Sequence, residues 1–109
     1  MRGNAGQHAH TMAMGGRRLL CQSLNRELAS KGVHVAHIVV DAAVDAPDTL
    51  GKMLGKELFE RMKDAKGADG VMSPAAAAET YFHLHTQHRS AWSFEVDLRP
   101  YSEVPWFNS

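Results

Sequence analysis

Residues 33–40, VHVAHIVV, constrain this chain more than any other segment. The run is β-branched and almost continuously apolar, where a strand with one wet face would alternate. A strand reads this way when both of its faces are covered, as in a parallel sheet. The segment is preceded by a helical pattern. Leu20, Leu24 and Leu28 recur every four residues with Leu19 beside them, and Arg17, Arg18, Asn25, Arg26 and Glu27 are polar. This predicts a helix over 13–30. Gly15-Gly16 weakens its first turns, and Lys31-Gly32 stops it with a cation and a residue free to adopt positive φ.

Asp41-Ala42-Ala43 ends the strand, and 45–48 is a connector containing Pro47. Leu50, Met53, Leu54, Leu58, Arg61 and Met62 then fall at steps of three and four, predicting a helix over 49–66 that Gly51 and Gly55 break in two. Residues 67–70, GADG, form a loop. Ser73-Pro74 opens a second strong helix, with serine at the N-cap and proline at the first helical position, ending near Gln87. Residues 90–98, SAWSFEVDL, alternate: Trp92, Phe94, Val96 and Leu98 share one face, and Ser93, Glu95 and Asp97 the other. Residues 1–12 are expected to be loop and 99–109 a tail. That tail, with two prolines and Trp106-Phe107, needs a surface to lie on, whether its own unit or a partner subunit.

Helix, strand, helix, helix, strand is the order of an α/β layer with parallel strands. Two strands make a poor parallel sheet, because a central strand needs neighbours on both sides. The single α/β unit over 13–98 is therefore expected to be incomplete on its own.

Composition excludes several classes of function. Lys plus Arg equals Asp plus Glu at 12 each, so no basic surplus points to nucleic acid or an anionic membrane. Hydrophobic residues make up 44% and charged residues 22%, which is globular material. No apolar run reaches membrane-spanning length, and the first 16 residues do not have the pattern of a signal peptide. With Cys21 the one cysteine, no internal disulfide is available. A cytoplasmic location is the expectation. The seven histidines do not make a metal site: His83, His85 and His88 cluster without a cysteine or carboxylate to complete a zinc pattern. His34 and His37, in the strand, are expected to be satisfied structural residues, and Cys21 a packed side chain.

The segment LLCQSLNRELASKGVHVAHIVVD is similar to the helix–turn–strand that follows the catalytic segment of short-chain dehydrogenases. MSPAAAAETYFHLHTQHRSAWSFEVDLRPYSE resembles the last helix and last strand of one bacterial-type subgroup, and RGNAG the stretch just upstream of its active-site helix. The resemblance implies the C-terminal part of a Rossmann-like, doubly wound parallel sheet that binds NAD or NADP, and an oxidoreductase activity.

The resemblance also assigns positions. The family's catalytic tyrosine and the lysine four residues later fall on His10 and Met14. The lysine lowers the tyrosine's pKa and holds the ribose, while the tyrosine exchanges a proton with substrate. Histidine can move protons near neutral pH, but methionine carries no charge and no donor. The catalytic serine and the glycine-rich phosphate turn would lie upstream of Met1, and no G-x-G-x-x-G occurs in the sequence. The cofactor-proximal segment after the strand maps to residues 41–46. Val44 fits the apolar position, Asp41 opens the segment, and Ala42 and Ala46 stand where the family has glycine and threonine.

Three readings follow. One is a truncated, catalytically impaired member of the family that holds its cofactor poorly alone. Another is a non-catalytic module that pairs with itself or a full-length dehydrogenase subunit through the last helix and strand. The third has Met1 as an internal methionine of a longer reading frame.

Overall fold

The computed structural model describes residues 3–102. Trp106 and Phe107 of the expected tail lie outside the described residues. The elements are α1 (His8–Leu28), β1 (His37–Val40), α2 (Lys52–Leu54), α3 (Lys56–Lys66), α4 (Pro74–Thr86) and β2 (Glu95–Leu98). Short 3-10 turns at Ala29–Lys31 and Arg89–Ala91 and a π-helical turn at Pro47–Gly51 join them.

β1 and β2 pair in parallel, His37 against Glu95 through Val40 against Leu98. All of α2, α3 and α4 lies in the crossover between the two strands. The chain is thus the α/β unit with parallel strands that the sequence implied, a partial Rossmann-like sheet. Successive side chains alternate between the two faces of the pair. Arg18 of α1 reaches Glu95 on one face. On the other, Leu98 lines a cavity of about 290 Å³ with Met72 and with Ala76 and Ala77 of α4. Helical material therefore lies on each face, although Val40, on the Leu98 face, stays exposed.

The local rules account for most boundaries. Ser73 Oγ accepts from the Ala76 N–H at 3.2 Å, and Pro74 occupies the first helical position, so α4 starts where its cap dictates. Gly32 takes φ 80° behind α1, and Gly55, at φ 84° and ψ 150°, separates α2 from α3.

Three boundaries differ from the sequence-based expectation. α1 begins at His8, so residues 8–12 are helix rather than loop. The strand expected over 33–40 is laddered only from His37, because β2 offers no partner before Glu95. The strand expected from Ser90 is likewise shortened. A 3-10 turn occupies Arg89–Ala91, with the His88 ring accepting from the Ser90 N–H at 3.1 Å.

The apolar core is small. Phe59, Met72 and Leu84 are its buried side chains among the described residues, and α1 contributes none. The radius of gyration is 16.1 Å, against about 13 Å for a compact domain of this length. Met12, Leu19 and Leu20 of α1 stay exposed. No helix among the described residues is long and apolar enough to cross a membrane.

Candidate functional site

Between α1 and β1 lies an open groove of about 450 Å³. One wall is the face of α1 that carries His10, Met14, Arg17 and Cys21, at steps of four, three and four. Such steps keep side chains on one side of a helix. The floor is β1 together with Ala36 and Asp41, and Tyr81 of α4 enters from the far side. The helical start at His8 is what turns His10 and Met14 into a pair on one face. In a loop they would have no fixed relation.

The chemistry within the groove is sparse. Met14 is half-buried, and its Sδ accepts from Arg17 Nη2 at 2.9 Å. A thioether is a weak acceptor and never a donor, so Met14 offers a ribose hydroxyl neither charge nor proton. The cation of this wall is Arg17, one turn further along and exposed. His10 is exposed at the outer end.

The segment expected to meet a cofactor is dispersed. Asp41 alone of its residues lines the groove, and its Oδ2 lies 3.3 Å from Arg99 Nη1. Arg99 also pairs with Asp97. Val44 forms an isolated parallel bridge with Met72, closed by Asp45 N–H to Met72 O and Met72 N–H to Ala43 O, both 2.8 Å. The Ala46 carbonyl accepts from the Gly51 N–H at 3.0 Å. Ala42, Val44 and Ala46 are half-buried and line no part of the groove. Asp45 meets Lys63 Nζ at 3.1 Å. The structure thus gathers His10, Met14 and Asp41 and leaves Ala42, Val44 and Ala46 with the turns that lead into α2.

A second polar cluster was not anticipated. His37 is 5% exposed. Its Nδ1–H donates to Glu95 Oε1 at 3.3 Å, and Glu95 receives Arg18 through both carboxylate oxygens at 2.9 and 3.0 Å. Arg18 holds the Glu95 carboxyl below its ordinary value, chiefly by hydrogen bonding, while burial opposes the shift. The same contact raises the Arg18 guanidinium. Only the placement of Glu95 on the polar side of an alternating strand hinted at a partner. His34 is anchored separately: its Nε2 donates to the Ser93 carbonyl at 2.7 Å, and its ring stacks on Trp92 at 4.7 Å. Among the described residues no three His, Cys, Asp or Glu side chains converge as a metal site.

A nicotinamide dinucleotide does not fit the residues present. Its pyrophosphate needs a row of backbone N–H groups at a glycine-rich turn, and its ribose a charged donor beside the proton relay. The groove offers Met14 in the second role and nothing among the described residues in the first.

Comparison with solved structures places the unit. A crystal structure described as a short-chain dehydrogenase from Rhodopseudomonas palustris is similar to this chain, at 34% sequence identity and a TM-score of 0.61. The likeness covers 93% of this chain and 34% of that one, so the chain spans about a third of the length of that structure. No family model matches the sequence. No curated protein matches it either. The described fold is therefore similar to a part of a short-chain dehydrogenase, and it brings His10, Met14 and Asp41 to one groove.

Proposed function

We propose that this chain is an oxidoreductase-like unit of the short-chain dehydrogenase type that does not itself transfer hydride. The observation that supports this is the groove wall. His10 and Met14 stand four residues apart on one face of α1, and the second has neither charge nor donor. General acid–base work needs a group that is both tuned and positioned. His10 sits exposed at the mouth of the groove with no cation four residues on. NAD or NADP would be held here only with phosphate- and ribose-binding groups beyond those that the described residues supply.

The test is turnover by the purified chain, followed through the absorbance of reduced nicotinamide with a panel of alcohols and ketones. No turnover above the buffer rate is expected. Turnover that disappears in His10→Ala would overturn the reading.

A second reading is a non-catalytic interaction module that pairs with itself or with a full-length dehydrogenase subunit through the last helix and strand. It is favoured by Tyr81 and Phe82 of α4, which are 49% and 68% exposed. Light scattering on the purified chain, alone and mixed with such a subunit, tests it; a monomer in both samples would sink it.

A further inference from the structure

The opening turns of α1 carry a pattern that neither the groove nor the sheet uses. Residues 8–14 read HAHTMAM. Met12 stands four residues after His8, and Met14 four after His10. No other methionine of the chain has a histidine four residues before it. The helix begins at His8, so all four residues are helical. Side chains at that step are neighbours, with about 5–6 Å between their Cβ atoms.

The order within each pair adds to the spacing. Long helical side chains lean toward the N-terminus, over the residue one turn earlier. Each methionine, flexible along its length, therefore carries its sulfur back over its histidine. Metal–nitrogen and metal–sulfur bonds of about 2.0–2.3 Å put two donors roughly 4 Å apart across an ion, within reach of that spacing. At about 100° per residue the two pairs point some 160° apart around the helix, so each is a separate clasp. His10 and Met14 line the groove, and His8 and Met12 do not.

The ligand types choose the ion. Thioether sulfur is a soft, neutral donor that selects Cu(I), and imidazole also suits copper. Calcium and magnesium want oxygen. The zinc patterns that these histidines fail to complete are built from nitrogen, thiolate and carboxylate ligands, not thioether. A soft monovalent ion is held by one nitrogen and one sulfur on opposite sides. The positive end of a helix disfavours a cation electrostatically, but such bonds are largely covalent and ask for no negative charge.

The two pairs are not equivalent. Met14 Sδ accepts from Arg17 Nη2 at 2.9 Å, which sets a cation at that sulfur. The side chains of His8 and Met12 have no hydrogen-bond partner among the described residues. The rings of His34, His37 and His88, by contrast, are each held by a protein partner.

We propose that the start of α1 is a binding site for a soft monovalent metal ion, Cu(I) or its analogue Ag(I), clasped by the His8 imidazole and Met12 Sδ. His10 and Met14 repeat the clasp more weakly, because Arg17 competes for the sulfur. The site rests on neither the catalytic reading nor the pairing one.

NMR of the full chain labelled at the methionine methyls, titrated with Ag(I) and, without oxygen, with Cu(I), tests it. The Cys21 thiol competes for both ions, so Cys21→Ser is titrated beside the wild type. In Cys21→Ser the Met12 methyl is expected to shift and saturate ahead of Met14. Met53, 75% exposed against 76% for Met12 but with no histidine one turn before it, is expected to stay in place. Adding His8→Ala, on an exposed side chain, is expected to abolish saturation at Met12, with circular dichroism confirming an unchanged fold. A Met12 signal that does not move in Cys21→Ser overturns the proposal. So does one that moves together with Met53, which would be unselective binding to thioethers. A Met14 signal that saturates first, or a Met12 signal indifferent to His8→Ala, overturns it as well.

Discussion

Arg18 grips Glu95 with two parallel hydrogen bonds, Nε to Oε1 at 2.9 Å and Nη2 to Oε2 at 3.0 Å, across 77 residues of chain. This fork ties α1, which buries none of its own side chains, to β2. Bidentate geometry of this kind fixes orientation as well as adding charge-assisted strength. The same carboxylate orients the buried His37 ring, so one acid positions a helix and a strand residue together.

The fork predicts acid sensitivity. Hydrogen bonding from Arg18 depresses the Glu95 carboxyl below its ordinary value of 4.5. A carboxyl depressed by folding contributes stability that is present above its unfolded value and lost as pH falls through its folded one. Urea midpoints measured from pH 7 down to pH 3 are therefore expected to fall more steeply for the wild type than for Glu95→Gln. The two curves should converge once the pH lies below the folded value of that carboxyl. Parallel curves would show that the fork contributes nothing to folding.

The core is small enough for one residue to decide folding. Phe59 is 4% exposed, with the Lys63 ammonium 5.5 Å from its ring centre. Truncating a buried phenylalanine costs about 3–5 kcal/mol, and only Met72 and Leu84 accompany it in the apolar core among the described residues. Phe59→Ala is expected to abolish the cooperative thermal transition seen by circular dichroism. A melting temperature within a few degrees of wild type would show that the core lies elsewhere.

The α4 cap isolates a single hydrogen bond. Ser73 Oγ accepts from the Ala76 N–H at 3.2 Å, and Ser73 is exposed, so its loss leaves no cavity. Ser73→Ala is expected to cost about 1 kcal/mol in urea unfolding, with Ser73→Asp recovering most of it. Equal stability of all three would remove the cap from the account of how α4 begins.

What the sequence could show followed from the range of the forces involved. The Ser73-Pro74 start and the break at Gly55 are local, set by one cap and one backbone angle, and both stand where the residues indicated. Apolar pattern overstates the strands because it reports burial, whereas a ladder also needs a partner: residues 33–36 have no strand partner. His10, Met14 and Asp41 were named by likeness to a family, and the groove gathers them. Arg17 and Tyr81 share that groove without having been singled out. The Arg18–Glu95–His37 cluster joins residues from three distant elements, and no spacing rule reaches across 77 positions.

Two glycines test whether backbone conformation, rather than space, governs the helices. Gly15 lies inside α1 and Gly55 separates α2 from α3; a side-chain carbon added at either would meet nothing within 4 Å. Sterically the two positions are alike, and only their backbones differ. Gly15 is helical, where alanine is favoured over glycine by about 0.5–1 kcal/mol. Gly55 holds φ 84° and ψ 150°, a region nearly closed to other residues at a cost of about 1–3 kcal/mol. Gly15→Ala is therefore expected to raise the urea midpoint and Gly55→Ala to lower it. The second change also straightens the path from α2 into α3 or fails to fold, because the chain turns there by that one angle. Gains from both substitutions would mean that α2 and α3 form one continuous helix in solution, and the break at Gly55 would have to be abandoned.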